Sequence, residues 1–259
     1  MAPNERHFCR VGAIAAALGI VIYVVSALLH PWTPPHETET AFADYASEGG
    51  WALYHLGEFL GILFMSGAVL ALAYRLRRGV PGVWAFLGAA AMLLCAGVYA
   101  VFAAVDGVAL GVMVRRWAEA GPDERGLLYE TAFAVRQVEG GLFSLQWLLF
   151  GIAAGLLAVA FFTTARGVLR GGWSGTMAWL SVVASFGALS FAITQAQTGY
   201  SDLSMTMQLG LYLGFAWIAA VGLYLFLVPE QPESDPTANG DRAHQDPEMR
   251  GRADAPGRR

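Results

Sequence analysis

Six stretches of the chain, at about 11–29, 51–74, 83–105, 140–165, 173–195 and 205–228, are long, apolar and almost free of charge. Each approaches the ~20 residues that an α-helix needs to cross ~30 Å of hydrocarbon. A backbone in lipid must satisfy its own hydrogen bonds, so such runs can be little other than membrane-spanning helices. The sequence therefore predicts an all-α polytopic membrane protein with six transmembrane helices in one bundle. A composition of 56% hydrophobic and 14% charged residues over 259 positions agrees with that class. The expected organisation is an amino-terminal tail over 1–10, a six-helix transmembrane domain over 11–228, and a disordered tail over 229–259.

All sixteen basic residues are Arg, which excludes any mechanism built on a Schiff-base lysine. Nothing in the chain resembles a nucleic-acid-binding pattern. Cys9 and Cys95 stand before the first run and in the middle of the third, so neither a disulfide nor a thiol-based zinc or redox motif is expected. The first run follows Arg6 and Arg10 but exceeds the ~7–15 residues of a secretory h-region and lacks a small-residue cleavage site. It reads as a retained anchor.

Orientation follows from the arginines. Arg6 and Arg10, then Arg75, Arg77 and Arg78, then Arg166 and Arg170 mark one side, which the positive-inside rule makes cytoplasmic. The 31–50 connection carries Glu37, Glu39, Asp44 and Glu48 without an Arg, and 196–204 carries only Asp202, as outer loops would. The 112–138 connection mixes both signs. Six spans place both termini inside, in a bacterial cytoplasmic membrane. Trp32 and Trp51 are expected at the outer headgroup level, Trp84 and Trp173 at the inner. Four GxxxG pairs, Gly57/Gly61, Gly107/Gly111, Gly151/Gly155 and Gly210/Gly214, predict close helix crossings. A short helix capped by Thr38 or Thr40 is expected through Ala46, and Pro122 with Asp123 and Glu124 reads as the start of a helix that enters the membrane with a bend near Gly140 and Gly141. The tail from Pro229 has five prolines, seven acids and five Arg.

Ionisable side chains gather toward the outer ends. His55 and Glu58 stand three apart on one helical face, and Glu58 lies roughly 25 Å along the helix from Arg75, inside the hydrocarbon. Arg136, Glu139, Phe143 and Gln146 form one stripe, Tyr99 and Asp106 another, with His30 closing the first run and Gln195, Gln197, Asp202 and Gln208 at the same level. Buried charge in a bilayer is costly and needs a reason. Three readings stand. One is a structural network in which Arg136 neutralises Glu58, Asp106 or Glu139 and His55 bonds its i+3 partner. The second, favoured, is a polar pocket near the outer face that binds a small molecule or ion and could serve transport. It would be lined by His55, Glu58, Asp106, Arg136, Glu139, Gln146, Tyr99 and His30. The third is a metal-dependent membrane hydrolase using His30, His36, His55 and a carboxylate such as Glu58. Its residue types suit zinc but its spacings match no metal motif, so no metal and no cofactor is expected. Methionines 113, 205 and 207 read as packing residues, and no paired histidines support haem.

The strings Leu29-His30-Pro31, Phe42 to Ala46, Trp51 to Phe59 (WALYHLGEF), Ala104 to Leu110 (AVDGVAL) and Ala134 to Leu142 (AVRQVEGGL) together resemble uncharacterised six-helix integral membrane proteins of the actinobacterial type, a domain-of-unknown-function family. The resemblance covers about 8–228. It implies a six-helix membrane fold and carries no activity, substrate or cofactor. The lipid bilayer and a small-molecule ligand are the expected partners.

Overall fold

A computed structural model of the chain describes residues 3–31, 33, 37–164 and 172–227. Trp32, His36, Arg166, Arg170 and the tail from Pro229 lie outside the described residues. The elements are helical throughout: α1 (Pro3–Leu29), α2 (Thr38–Ser47), α3 (Trp51–Arg75), α4 (Gly79–Ala103), a π-helical segment (Ala104–Leu110), α5 (Gly111–Glu119), α6 (Pro122–Thr164), α7 (Trp173–Thr198), α8 (Asp202–Met207) and α9 (Leu209–Leu227). Among the described residues six spans are long and apolar enough to cross a membrane, with α4, the π segment and α5 making the third and α8 and α9 the sixth. The protein is a multi-pass, all-α membrane bundle.

Several boundaries differ from the sequence reading. The first helix starts at Pro3 rather than after residue 10, because proline suits the first helical position and Glu5 sits in the first turn. In α2 the cap position falls on Glu37, with no side-chain cap from Thr38 or Thr40. The fourth span is one helix of 43 residues that runs uninterrupted through Gly140 and Gly141.

Close helix crossings follow the glycines, because a Cβ at these positions would collide with the neighbouring helix. At Gly57 it would stand 2.0 Å from Ser26 Oγ and at Gly61 2.8 Å from the Gly19 carbonyl, which is how α3 meets α1. Gly107 and Gly111 lie against His55 and Trp51 of α3. Gly151 and Gly155 lie against Leu189 and Ser185 of α7, while Gly210 and Gly214 meet Gly187 of α7 and Phe150 of α6. Ser185 adds a hydrogen bond of 2.7 Å to the Gly151 carbonyl. Lipid supplies no hydrophobic drive between helices, so this packing and these bonds hold the bundle.

Two cores result. The larger fills the bundle and includes Met65, Leu72, Met92, Tyr99, Trp147, Phe191 and Trp217. The smaller gathers Phe42, Tyr45, Trp51, Leu110, Val114, Trp117 and Ala132, where α2, α5 and the first turns of α6 form a cap over one end. Trp51 is thus a buried core residue, not a headgroup anchor as its border position suggested. The opposite end is basic. There Arg77 pairs with Glu5, Phe8 packs on Tyr74 at 4.8 Å, and Arg75 lies 5.0 Å over the Tyr224 ring.

Candidate functional site

The junction between the two cores holds the ionisable residues. Its key element is the π-helical turn, whose wider hydrogen-bond spacing leaves backbone groups for outside partners. The Trp51 indole N–H donates to the Asp106 carbonyl at 2.8 Å, across from α3. Gly107 makes that approach possible, since a Cβ there would stand 2.7 Å from His55 Cβ. The same turn delivers the Asp106 carboxyl to His55, Oδ2 to Nε2 at 2.8 Å. His55 Nδ1 lies 2.9 Å from the Trp51 carbonyl, which can only accept, so Nδ1 carries a proton. One further proton then lies between Nε2 and Oδ2, held by the imidazolium or by the carboxylic acid. Sequence reasoning paired His55 with its i+3 neighbour Glu58; the π turn gives it Asp106 instead.

Glu58 is buried a turn deeper. It accepts from the Tyr99 hydroxyl at 2.5 Å, and the Tyr99 ring contacts Tyr23 of α1 at 6.3 Å between centroids. Arg136 belongs to a different group. Its guanidinium lies 4.7 Å from the Tyr200 ring centre, 5.4 Å from Tyr45 and 5.6 Å from Phe42. Tyr200 in turn donates its hydroxyl to Glu139. Burial, with the Glu139 carboxylate beside it, holds the Tyr200 phenol well above its ordinary range, so it remains a donor. Burial likewise pushes the Tyr45 phenol up to about 12, against the pull of Arg136.

His30 closes the site from above, ring to ring with Trp51 at 4.5 Å, His55 at 5.3 Å and Tyr45 at 5.9 Å. Burial and then the neighbouring His55 push its pKa below the usual imidazole value. Its Nδ1 donates to the Pro31 carbonyl at 3.1 Å. Among the described residues no three His, Cys, Asp or Glu side chains are placed to share a metal ion. Of the metal candidates, His55 has both nitrogens engaged, His30 has one on its own chain, and Glu58 is bound to Tyr99.

The structure therefore brings His30, His55 and Asp106 together, joins Glu58 to Tyr99, and sets Arg136 and Glu139 on a shared tyrosine. Gln146 is buried on α6 with both amide atoms lacking a hydrogen-bond partner. The same holds for Asp106 Oδ1, Glu139 Oε2, the Trp147 indole nitrogen and the amide of Gln195. Gln195 belongs beside Glu139: a Cβ on Gly140 would lie 3.8 Å from Gln195 Nε2 and 3.5 Å from the Tyr200 ring. Tyr45, Trp51 and Tyr200 are the site residues that sequence reasoning did not assign to the cluster. Trp51 appeared only as a border tryptophan, and Tyr45 and Tyr200 fell within the outer connections 31–50 and 196–204. No family model, no curated protein and no solved structure matches this chain, so the geometry alone carries the functional reading.

Proposed function

We propose that the chain binds a small molecule or ion at the capped end of the bundle, in a bacterial cytoplasmic membrane, with the cap outside and both termini inside. The supporting observation is the set of buried polar atoms without partners among the described residues: one oxygen each of Asp106 and Glu139, the whole amides of Gln146 and Gln195, and the Trp147 indole nitrogen. Nearly all buried polar atoms in folded proteins are hydrogen-bonded, and in a membrane each orphan is expensive. Three buried carboxyl groups, Glu58, Asp106 and Glu139, stand here with one guanidinium, Arg136, and two imidazoles, His55 and, above it, His30. With His30 held neutral by its lowered pKa, the three carboxyl groups outnumber the two side chains that can carry positive charge, Arg136 and His55, which favours a guest that brings positive charge, such as a proton, a metal cation or an amine. Membership of the six-helix actinobacterial-type proteins that the chain resembles is part of the same proposal.

A second reading has its own support. Each carboxyl already accepts or shares one hydrogen bond, from Tyr99, His55 or Tyr200, as a closed structural network would arrange. Calorimetric titration of Na⁺, K⁺ and methylammonium into the purified full-length chain separates the two. Binding predicts a saturable signal from one of them that Glu139→Gln and Gln195→Leu abolish while leaving the fold intact. No signal from any probe, together with large losses of stability in both variants, would leave the structural network as the better account.

A further inference from the structure

We propose that the groove between α1 and α9 holds one anionic phospholipid, its acyl chain in the groove and its phosphate against Arg6 and Arg10. The groove has a volume of about 440 Å³. Its floor is made by small residues, Ala13, Ala16, Ala17 and Gly222, and its rim by Ile14 and Phe226, which are 59% and 67% exposed. The floor is a consequence of packing, since a Cβ on Gly222 would stand 2.9 Å from that of Ala16. The two backbones therefore approach closely and leave a trough on the lipid side.

Volume and charge select the occupant. A helix ~10 Å across would seat only about one turn in such a volume, whereas a flexible hydrocarbon chain can lie along it. The groove also runs toward the basic end. Arg6, Arg10, Ala13, Ile14 and Ala17 follow one another at helical spacing on a single face of α1, and both arginines are exposed. Among the described residues of that end the one acid is Glu5, which Arg77 holds, and Arg6 and Arg10 stand exposed at the end of the groove. Basic clusters beside membrane grooves recognise anionic headgroups through phosphate, each arginine strengthening retention about five-fold.

The test compares phosphatidylglycerol with phosphatidylcholine of the same acyl chains, added to the full-length protein in detergent, with retained lipid read by native mass spectrometry and stability by melting. One phosphatidylglycerol should be retained per chain and should raise the melting temperature. Arg6→Gln with Arg10→Gln should erase the preference over phosphatidylcholine, and Ala17→Phe, which fills the trough at an exposed position, should abolish retention of both lipids. Equal retention of the two lipids by the parent, or retention untouched by Ala17→Phe, overturns the proposal. It also fails if phosphatidylglycerol binds only after the acidic segment beyond Leu227 is removed, because that segment would then be the natural occupant of the arginines.

Discussion

His55 and Asp106 lie 51 positions apart in the sequence, yet they share a proton position because one turn of π-helix advances the carboxyl to the imidazole. Single changes should be costly, since each leaves a buried polar partner unmatched, while the pair removed together should lose less than the sum. A double-mutant cycle of His55→Ala and Asp106→Ala, read by melting in detergent, is expected to show about 1–3 kcal/mol of coupling. Additive losses would mean that the 2.8 Å contact contributes nothing of its own. His30 gives a pH prediction. Its folded pKa lies below the ~6.5 of an unfolded histidine, so the native state prefers the neutral ring. That contribution is fully present above about pH 6.5 and is lost as pH falls through the folded value. The parent should therefore lose melting temperature between pH 7 and pH 5 more steeply than His30→Gln, and parallel curves would refute the assignment.

At the scale of the helices, glycine does two different jobs that the same structure separates. At Gly61 a Cβ would meet Tyr23 Cβ at 2.7 Å and the Gly19 backbone at 2.8 Å, whereas at Gly97 it would meet nothing within 4 Å. Gly61→Ala should cost about 1–3 kcal/mol by forcing α1 from α3. Gly97→Ala, in an exposed helical position, should be neutral or stabilising by up to about 1 kcal/mol. The reverse order in a melting experiment would overturn this packing. The spans and the GxxxG crossings were legible in the sequence because apolar length and small-residue spacing act locally along one helix. The pairing of the site was not. His55 with Glu58 looked natural at i+3 spacing, but a π turn changes the helical register by a fraction of a turn, and nothing in Ala104 to Leu110 signals that beforehand. Glu58 with Tyr99, and Arg136 with Tyr45 and Tyr200, depend on which helices are neighbours, information that no single helix carries. Trp51 was misplaced for the same reason, since α2 folding back over it was needed to bury it.

The described residues are polarised: one end carries the cap, its acidic connection and the buried carboxyls, with Arg115, Arg116, Arg125 and Arg136 set among acids, while the other carries Arg6, Arg10, Arg75, Arg77 and Arg78 beside Glu5, and the positive-inside rule is the ground on which we propose that the second faces the cytoplasm. That assignment rests on charge alone and admits a direct test, made simpler because the two native cysteines are buried, Cys9 in α1 and Cys95 in α4. A membrane-impermeant maleimide should leave the parent chain unlabelled in intact cells. Glu39→Cys, exposed on α2, should then be labelled without permeabilising the membrane, while Arg78→Cys, exposed just before α4 at the basic end, should react only after permeabilisation. Labelling of Arg78→Cys in intact cells with Glu39→Cys protected would invert the topology. It would also turn the carboxyl cluster toward the cytoplasm, and an outward-facing binding site could no longer be the reason that Glu58, Asp106 and Glu139 are kept inside the bundle.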